Sequence, residues 1–280
     1  MRYDEEVKEV LKQLVRKNKP LPEKVENHVF VGRVGHHATL EKLLDILEFV
    51  VLTSEWAVTI KAPNLETLWT AFVLRPNFPP DQSLFLSFIN KRRVRTQRMP
   101  ADATGYVAKT TQEVNLLTAE EQRHLFTQIL CNPTFVDYQK LTTGQAKCFH
   151  TYFRLINQEE GHLDQYRRRV EVHSFENLVG LDSLWRITFD SDNEKAREES
   201  GELLVDLHLR LVTAYDAAAR RKIMLSFIDQ SMKLMVELGG EIKAEGAERK
   251  LMSLIQVLSE FLNRYEGKKP IKPELKALSM

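Results

Sequence analysis

The stretch ARRKIMLSFIDQSMKLMVEL, residues 219–238, decides the fold class together with AERKLMSLIQVLSEFLNRY at residues 247–265. In both stretches apolar residues recur at the spacing of one face of an α-helix, and strict alternation is scarce. Gly239 and Gly240 end the first stretch and Gly267 ends the second, and glycine is a common residue at a helix C-terminus. The two stretches therefore predict two consecutive helices.

A second predicted pair precedes this one. One helix is predicted from about Phe175 to Phe189, and another over KAREESGELLVDLHLRLV, residues 195–212. Ser191 and Glu194 have the spacing of a capping box ahead of the latter. Each pair takes roughly 40 residues, the size of HEAT and armadillo units. The two pairs do not resemble each other in sequence, so only the architecture repeats. We predict an all-α fold, an armadillo/HEAT-like α-solenoid segment of antiparallel helix pairs.

The first half of the chain also has helical spacing. Apolar stripes predict helices within residues 7–15, 40–51, 64–74, 79–89 and 123–130. Thr39 is a possible N-cap, and Pro79 and Pro80 can begin a helix. Thr118 and Glu121 have the spacing of a capping box. The stretch ENHVFVGRVGHHAT, residues 26–39, is predicted to be an extended linker.

One long segment resists a helical assignment. KRRVRTQRMPADATGYVAKTTQEVNLL, residues 91–117, is polar and basic and contains Pro100 and Gly105. We interpret it as an exposed loop between two helical blocks. The predicted organisation is an N-terminal helical block at 1–95, an exposed seam at 96–117, a C-terminal helical-repeat block at 118–266, and a linker or truncated tail at 267–280.

Composition limits the class of protein. The chain has 280 residues, 43% of them apolar and 28% charged, with a net charge of +1, which is typical of a globular protein and argues against nucleic acid as a partner. Two cysteines are too few for a disulfide framework. Residues 1–24 are charged throughout and contain no apolar h-region, so we expect no secretory signal, and no apolar run is long enough for a membrane span. We expect a cytoplasmic protein, with the nucleus as a second location, and no contact with a membrane.

Cys148 and His150 are the first candidates for chemistry. A thiol nucleophile needs a base within hydrogen-bond reach. In a helix, however, residues i and i+2 point to different faces, so His150 is badly placed to serve Cys148. Free cysteine is also among the most buried residue types. We therefore interpret Cys148 as part of a packed helix and predict no catalytic residue in this chain.

No metal or cofactor site is predicted either. His36 and His37 are adjacent, and the histidine spacings of zinc enzymes are missing. The carboxylate pairs Glu159–Glu160 and Glu198–Glu199 are interpreted as solvated helix faces. GRVGHHAT, residues 32–39, lacks the residues of a phosphate-binding loop, so we predict no cofactor.

The basic run of residues 91–95, echoed by Arg98 and by residues 167–169, is the one notable charge cluster in the sequence. A solvated loop is the default interpretation, and a nuclear-import or acidic-partner contact is the alternative. That contact would use Lys91, Arg92, Arg93 and Arg95. Among the tryptophans, Trp69 and Trp185 are predicted to lie in the core, whereas Trp56 is either core or an interface anchor.

From about residue 146 onward the chain resembles a known family. The resemblance rests on four segments in order, AKCFHTYFRLIN (146–157), LVGLDSLWRI (178–187), KAREESGELLVDLHLRL (195–211) and LNRYEGKKPIKPEL (262–275). Two motifs within them are the most specific, namely Cys148, Phe149, Tyr152 and Phe153, and Gly180, Leu181, Asp182, Leu184 and Trp185. The segments are similar to the long helical region that precedes the catalytic domain in the giant ubiquitin-specific proteases of the fat-facets type.

What the resemblance implies is a non-catalytic part of a deubiquitinase. Those enzymes use a cysteine in a Gly-Asn-Thr-Cys-type box and a distant histidine box. Cys131 lies in ILCNPTF and Cys148 in QAKCFHTY, so no catalytic residue is carried over. The expected function is a helical scaffold that binds proteins, such as ubiquitinated substrates or regulators, within a thiol protease that removes ubiquitin from conjugates. The alternative is a free-standing α-solenoid adaptor or transport-type scaffold without a protease link.

Overall fold

Helices dominate the described chain, which confirms the all-α prediction. The computed structural model describes residues 29–53, 60–76, 79–91, 93–98, 109–114, 116–166, 169–240 and 246–267. The predicted helix at 7–15, Trp56 and the tail beyond Gly267 lie outside these residues. The chain divides into two compact units, Met1–Val136 and Asp137–Met280.

The first unit contains four helices and a hairpin among its described residues. In chain order these are α1 (Val29–Thr53), α2 (Ala62–Trp69), α3 (Pro79–Asn90), β1 (Arg93–Arg98), β2 (Lys109–Val114) and α4 (Ala119–His124). A π-helical turn extends α2 through Thr70–Leu74 and another extends α4 through Leu125–Leu130. The turn after α4 contacts α2. Residues 118–136 therefore belong with the first unit, although the predicted organisation grouped them with the C-terminal block.

Large aromatic side chains form the core of the first unit. Trp69 is fully buried, as predicted, and its Nε1 donates a hydrogen bond to the carbonyl of Phe135 at 3.0 Å. Phe72 from the turn after α2 stacks on Phe85 of α3 with ring centroids 5.0 Å apart. Burial of such rings supplies most of the packing free energy of a small helical unit.

Helix α1 corrects two predictions. It begins at Val29, so residues 29–39 of the predicted extended linker are helical, and Thr39 lies inside the helix instead of capping it. A glycine in a helix interior costs only about 1 kcal/mol relative to alanine. The buried stripe of Leu40, Leu44 and Leu47 provides packing energy that outweighs such a cost.

The predicted loop at 91–117 contains a hairpin. Strands β1 and β2 pair antiparallel, from Arg93 opposite Val114 to Arg98 opposite Lys109. The sequence pattern did not predict β1 and β2, because their residues are mostly polar. A strand is recognised from sequence by alternation of apolar and polar residues, which a half-buried strand shows. The predicted capping box that follows is present: the Thr118 hydroxyl accepts from the Glu121 N–H, and the Glu121 carboxylate accepts from the Thr118 N–H.

The second unit contains five helices and a second hairpin among its described residues. They are α5 (Thr143–Glu159), β3 (Leu163–Tyr166), β4 (Arg169–Val172), a 3₁₀ turn (Phe175–Asn177), α6 (Leu181–Asp190), α7 (Glu194–Leu209), α8 (Ala217–Gly240) and α9 (Ala247–Tyr265). Helices α8 and α9 confirm the helices predicted from residues 219–238 and 247–265.

Two helix starts differ from the sequence prediction. The N-cap of α7 is Asn193, whose side-chain oxygen accepts from the Ala196 N–H at 3.2 Å; Ser191, predicted to be the cap, instead accepts from the Asn193 N–H. The predicted helix from Phe175 to Phe189 is broken at Gly180, which has a φ of 83°. That left-handed conformation suits glycine and ends regular helix.

A buried asparagine ties the exit of α5 to the entrance of α6. The Asn157 side chain accepts from the Val179 N–H at 2.8 Å and donates to the Val179 carbonyl at 3.0 Å. Hairpin β3–β4 lies between these two points, and Val172 of β4 forms a parallel bridge with Leu211 after α7. These hydrogen bonds satisfy backbone groups that would otherwise be buried unpaired.

Helices α8 and α9 form an antiparallel pair. Phe227 near the middle of α8 stacks on Phe261 of α9, with ring centroids 4.4 Å apart, and this geometry requires the chain to reverse direction between them. Helix α9 also packs on α7, where a Cβ atom at Gly201 would lie 2.9 Å from Val257 Cγ2. Consecutive helices therefore pack as pairs, whereas the armadillo/HEAT-like solenoid stays a prediction.

Candidate functional site

The cysteine singled out in the sequence lies in the interior of the second unit. Cys148 is on α5 and is fully buried. A substrate approaching from solvent does not reach this thiol in the folded chain. Cys131, at the end of the turn that follows α4, is half-buried.

His150 pairs with a serine that sequence pattern did not single out. Its Nε2 lies 2.7 Å from the Ser200 hydroxyl on α7, and both side chains are buried. The two residues are 50 positions apart, and nothing in the local pattern of either one indicates the contact. Burial, assisted by the Arg154 charge, lowers the pKa of His150 to about 4, so the imidazole is neutral at pH 7.

Glu199, His150 and Ser200 are the residue types of a serine-hydrolase triad, but they do not have the geometry of one. Its Oε2 lies 3.8 Å from His150 Nδ1, which is too long for a hydrogen bond. The Ser200 hydroxyl is fully buried, so it cannot attack a substrate. The Ser200–His150 contact is therefore a buried polar pair between α5 and α7, of the kind that fixes how two helices pack.

His208 forms the centre of an aromatic cluster. Its Nδ1 donates to the Leu204 carbonyl at 2.7 Å, which places the proton on Nδ1 because a carbonyl can only accept. The ring lies 4.6 Å from Phe175 and 4.8 Å from Phe227, centroid to centroid. Burial lowers the pKa of His208 to about 4. This second histidine is also neutral at pH 7.

Trp185 belongs to the same cluster, as the sequence predicts for a core residue. Its ring lies 5.4 Å from both Phe189 and Phe227, and the side chain is buried. Phe227 then stacks on Phe261. The cluster joins α6, α8 and α9 into one hydrophobic core.

The side chains of His37, His162 and Glu160 are half-buried, and Glu159, Glu198 and Glu199 are exposed. His37 Nδ1 lies 3.2 Å from the buried Asp81 carboxylate, beside an open depression that Ser83 and Ser87 also line. Glu160 pairs with His162 at 3.2 Å. No cluster of three or more metal-ligating side chains occurs within the residues that the structure covers.

The basic segment is placed only in part. Lys91 Nζ lies 3.0 Å from the Glu48 carboxylate of α1, while Arg93 and Arg95 lie on β1. Arg92, Arg167 and Arg168 are outside the described residues. The nuclear-import contact therefore stays a prediction. Over the described parts of the chain, no helix has the length and hydropathy needed to cross a membrane.

Helices α8 and α9 expose apolar side chains to which sequence pattern gave no role. On α8 these are Leu225, Met232 and Val236, here called the α8 stripe. On α9 they are Met252, Ile255, Leu262 and Tyr265, here called the α9 stripe. Exposed apolar side chains that recur along a helix are candidates for an interaction site when they form a continuous patch.

Comparison with known proteins finds a local similarity. No family model matches the chain. A stretch of 61 residues is 38% identical to ubiquitin carboxyl-terminal hydrolase 9X of Mus musculus. The matched residues make up 22% of this chain and 2% of that hydrolase. The chain is thus similar, over a short stretch, to part of a ubiquitin-specific protease.

Proposed function

We propose that this chain is a non-catalytic helical scaffold of the ubiquitin system, related to the giant ubiquitin-specific proteases, and that it acts by binding other proteins. The observation that carries the proposal is the 61-residue match at 38% identity. The expected partners are ubiquitinated proteins or regulators of deubiquitination, in the cytoplasm and the nucleus.

Within that family, the proposal favours ubiquitin carboxyl-terminal hydrolases 24 and 34, with 24 as the first choice. The support is the order of the helical segments and the two motifs around Cys148–Phe153 and Gly180–Trp185. The local match to hydrolase 9X supports the family link and does not distinguish among its members.

The geometry of the second unit supports a role for the surface. Cys148 is buried, and so is Ser200, the hydroxyl that the helices bring beside His150. The α8 and α9 stripes, by contrast, present apolar side chains to solvent. A helical scaffold is expected to have this distribution, with polar pairs inside and binding surface on exposed helix faces.

A proximity-labelling experiment tests the partner class. The chain is fused to a biotin ligase in cells, and biotinylated peptides are scored for the Gly-Gly remnant of ubiquitin on lysine. We expect enrichment over the ligase alone, and loss of enrichment when Trp185→Ala disrupts the second unit. Neighbours without ubiquitin modification would contradict the ubiquitin link and favour the free-standing adaptor or transport-type scaffold.

A cleavage assay tests the proposal that the chain is not itself a protease. The purified chain is incubated with isopeptide-linked di-ubiquitin, and free ubiquitin is followed on gels. We expect no turnover at any time point. Turnover that disappears in Cys148→Ala would refute the assignment of Cys148 to the packed core.

A further inference from the structure

We propose that hairpin β1–β2 is a docking site for an extended acidic segment of a partner protein, which adds to the outer edge of β1 as a third strand. Strand addition of this kind is an established mode of peptide recognition. The partner segment carries acidic residues at alternate positions, opposite Arg93 and Arg95 of β1. This inference does not depend on the proposed ubiquitin link, because it concerns a surface of the first unit.

Both strands of the hairpin are edge strands. The sheet consists of β1 and β2 alone within the described chain, and each strand is six residues long. Neither strand packs along a helix of the first unit, as far as the structure describes that unit. The outer edge of β1 therefore presents backbone N–H and C=O groups, which form a template for a further strand.

The two strands have no apolar face with which to pack on a core. Val94 and Val114 are their apolar residues. Val114 is paired with Arg93, whereas Val94 is paired with Glu113, so the two valines lie on different faces of the hairpin. A two-stranded hairpin without core packing is marginally stable in water. A third strand would add hydrogen bonds along β1 and so stabilise the hairpin.

The charge of β1 determines which strand it accepts. Its six residues include three arginines and no acidic residue. Arg93 and Arg95 lie two positions apart and therefore share one face of the strand. The one carboxylate of the two strands, Glu113, is paired with Val94 and lies on the other face. The positive charge on the face of Arg93 and Arg95 is thus not balanced by an acidic residue of the hairpin.

Charge complementarity favours an acidic strand over a second copy of this chain. Pairing β1 with another β1 would bring arginines close to arginines, and like charges that face each other destabilise a pair of strands. Charged residues on an edge strand protect proteins from such self-pairing. A strand with acidic residues at every second position instead places a carboxylate beside Arg93 and another beside Arg95.

Duplex nucleic acid is the other anionic partner that a two-stranded ribbon can fit, because such a ribbon enters the major groove. Binding of that kind depends on many contacts between cations and phosphates. The two strands together contain four cations, and the net charge of the whole chain is +1. The observations therefore favour a peptide strand, which gains backbone hydrogen bonds in addition to charge contacts.

The first experiment measures binding of a fluorescein-labelled peptide of alternating Glu and Thr to the full chain by fluorescence anisotropy. We expect a Kd of roughly 10–100 μM, which rises with salt concentration because the charges are screened. The matched control is a peptide of the same composition with all Glu residues in one block. It should bind at least roughly tenfold more weakly, because it cannot place acidic residues at alternate positions along β1.

The second experiment exchanges the charges. A chain with Arg93→Glu and Arg95→Glu should bind the Glu–Thr peptide at least roughly tenfold more weakly and should bind a Lys–Thr peptide that the parent chain does not bind. Recovery of binding by the Lys–Thr peptide also shows that the hairpin of the variant is folded. The matched control carries Lys222→Glu and Lys233→Glu at exposed positions of α8, and its Kd for the Glu–Thr peptide should equal that of the parent chain.

The third experiment distinguishes strand addition from a contact of charges alone. N-methylation removes the backbone N–H, and in a β-strand successive N–H groups point to opposite edges. One peptide is N-methylated at every Glu and another at every Thr. We expect one of the two to bind as the unmodified peptide does, because its methyl groups face away from β1, and the other to lose binding.

Four outcomes would overturn the proposal. They are a Kd for the Glu–Thr peptide above about 1 mM, equal binding of the alternating and the block peptide, an unchanged Kd in the chain with Arg93→Glu and Arg95→Glu, and equal binding of the two N-methylated peptides. Tighter binding of a 20-base-pair DNA duplex than of the Glu–Thr peptide would also overturn it and make nucleic acid the partner. Failure here would leave the ubiquitin proximity experiment unaffected.

Discussion

Lowering the pH from 7 to 5 should destabilise the second unit by about 4 kcal/mol, because two buried histidines are neutral in the folded protein. Burial holds the pKa of His150 and of His208 at about 4, whereas a solvated histidine has a pKa of 6.5. Between these values the unfolded chain binds protons that the folded chain does not. Stability is therefore complete above about pH 6.5 and falls as the pH decreases toward 4.

The magnitude follows from the two shifts. Each histidine contributes a slope of about 1.4 kcal/mol per pH unit through the window, and about 2 kcal/mol between pH 7 and pH 5 after allowance for the partly protonated unfolded state at pH 7. The loss of stability summed over His150 and His208 is a large part of a typical folding free energy of roughly 5–15 kcal/mol.

Urea denaturation at pH 7, 6 and 5, followed by far-UV circular dichroism, measures the slope of the unfolding free energy against pH. His208→Phe keeps an aromatic ring in the cluster and removes the titrating group, so about half of the slope should disappear. Ser200→Ala removes the partner of His150 and keeps the imidazole, so it should lower stability at pH 7 while the slope persists. A stability that is constant between pH 7 and 5, or a full slope in His208→Phe, would refute the reasoning.

Three further predictions concern packing. Trp185→Ala should cost about 3–5 kcal/mol, because it leaves a large cavity among α6, α8 and α9; a urea midpoint within error of the parent chain would contradict this. Gly201→Ala should cost about 1–3 kcal/mol, because the added Cβ meets Val257; combining it with Val257→Ala should cost less than the sum of the two single changes, and strict additivity would argue against the contact. Cys148→Ala should cost about 1 kcal/mol by urea denaturation, and rapid labelling of Cys148 by a ubiquitin-based electrophile would show that the thiol is accessible after all.

Helix class and several helix ends were predictable because their causes are local. The apolar spacing in residues 219–238 and the Thr118–Glu121 capping box depend on residues within a few positions of each other. The break at Gly180 was missed because Leu178, Leu181 and Trp185 keep helical spacing across it. Its left-handed backbone is stabilised by the tie from Asn157 to Val179, which lies 22 residues away along the chain.

Features that depend on distant partners were not predictable from sequence pattern. In the sequence, His150 was considered as a base for Cys148, two residues away. Its partner in the structure is Ser200 on another helix. Strand β4 spans four residues, too few for a clear alternation, and it is fixed by Leu211 beyond α7. The α8 and α9 stripes have the same helical spacing as buried stripes, so only the packing reveals which apolar face is left exposed.

The side chain of Asn157 also determines where this protein can grow. Because it hydrogen-bonds to both the N–H and the carbonyl of Val179, the ends of the chain segment between them are fixed, and hairpin β3–β4 lies within this segment with Leu163, Val170 and Val172 buried. Doubling the length of such a loop adds only about 0.6 kcal/mol of closure entropy. A segment whose two ends are tied in this way can therefore gain length, by evolution or by insertion of a fluorescent reporter, at a small cost in free energy while α5 and α6 stay tied together.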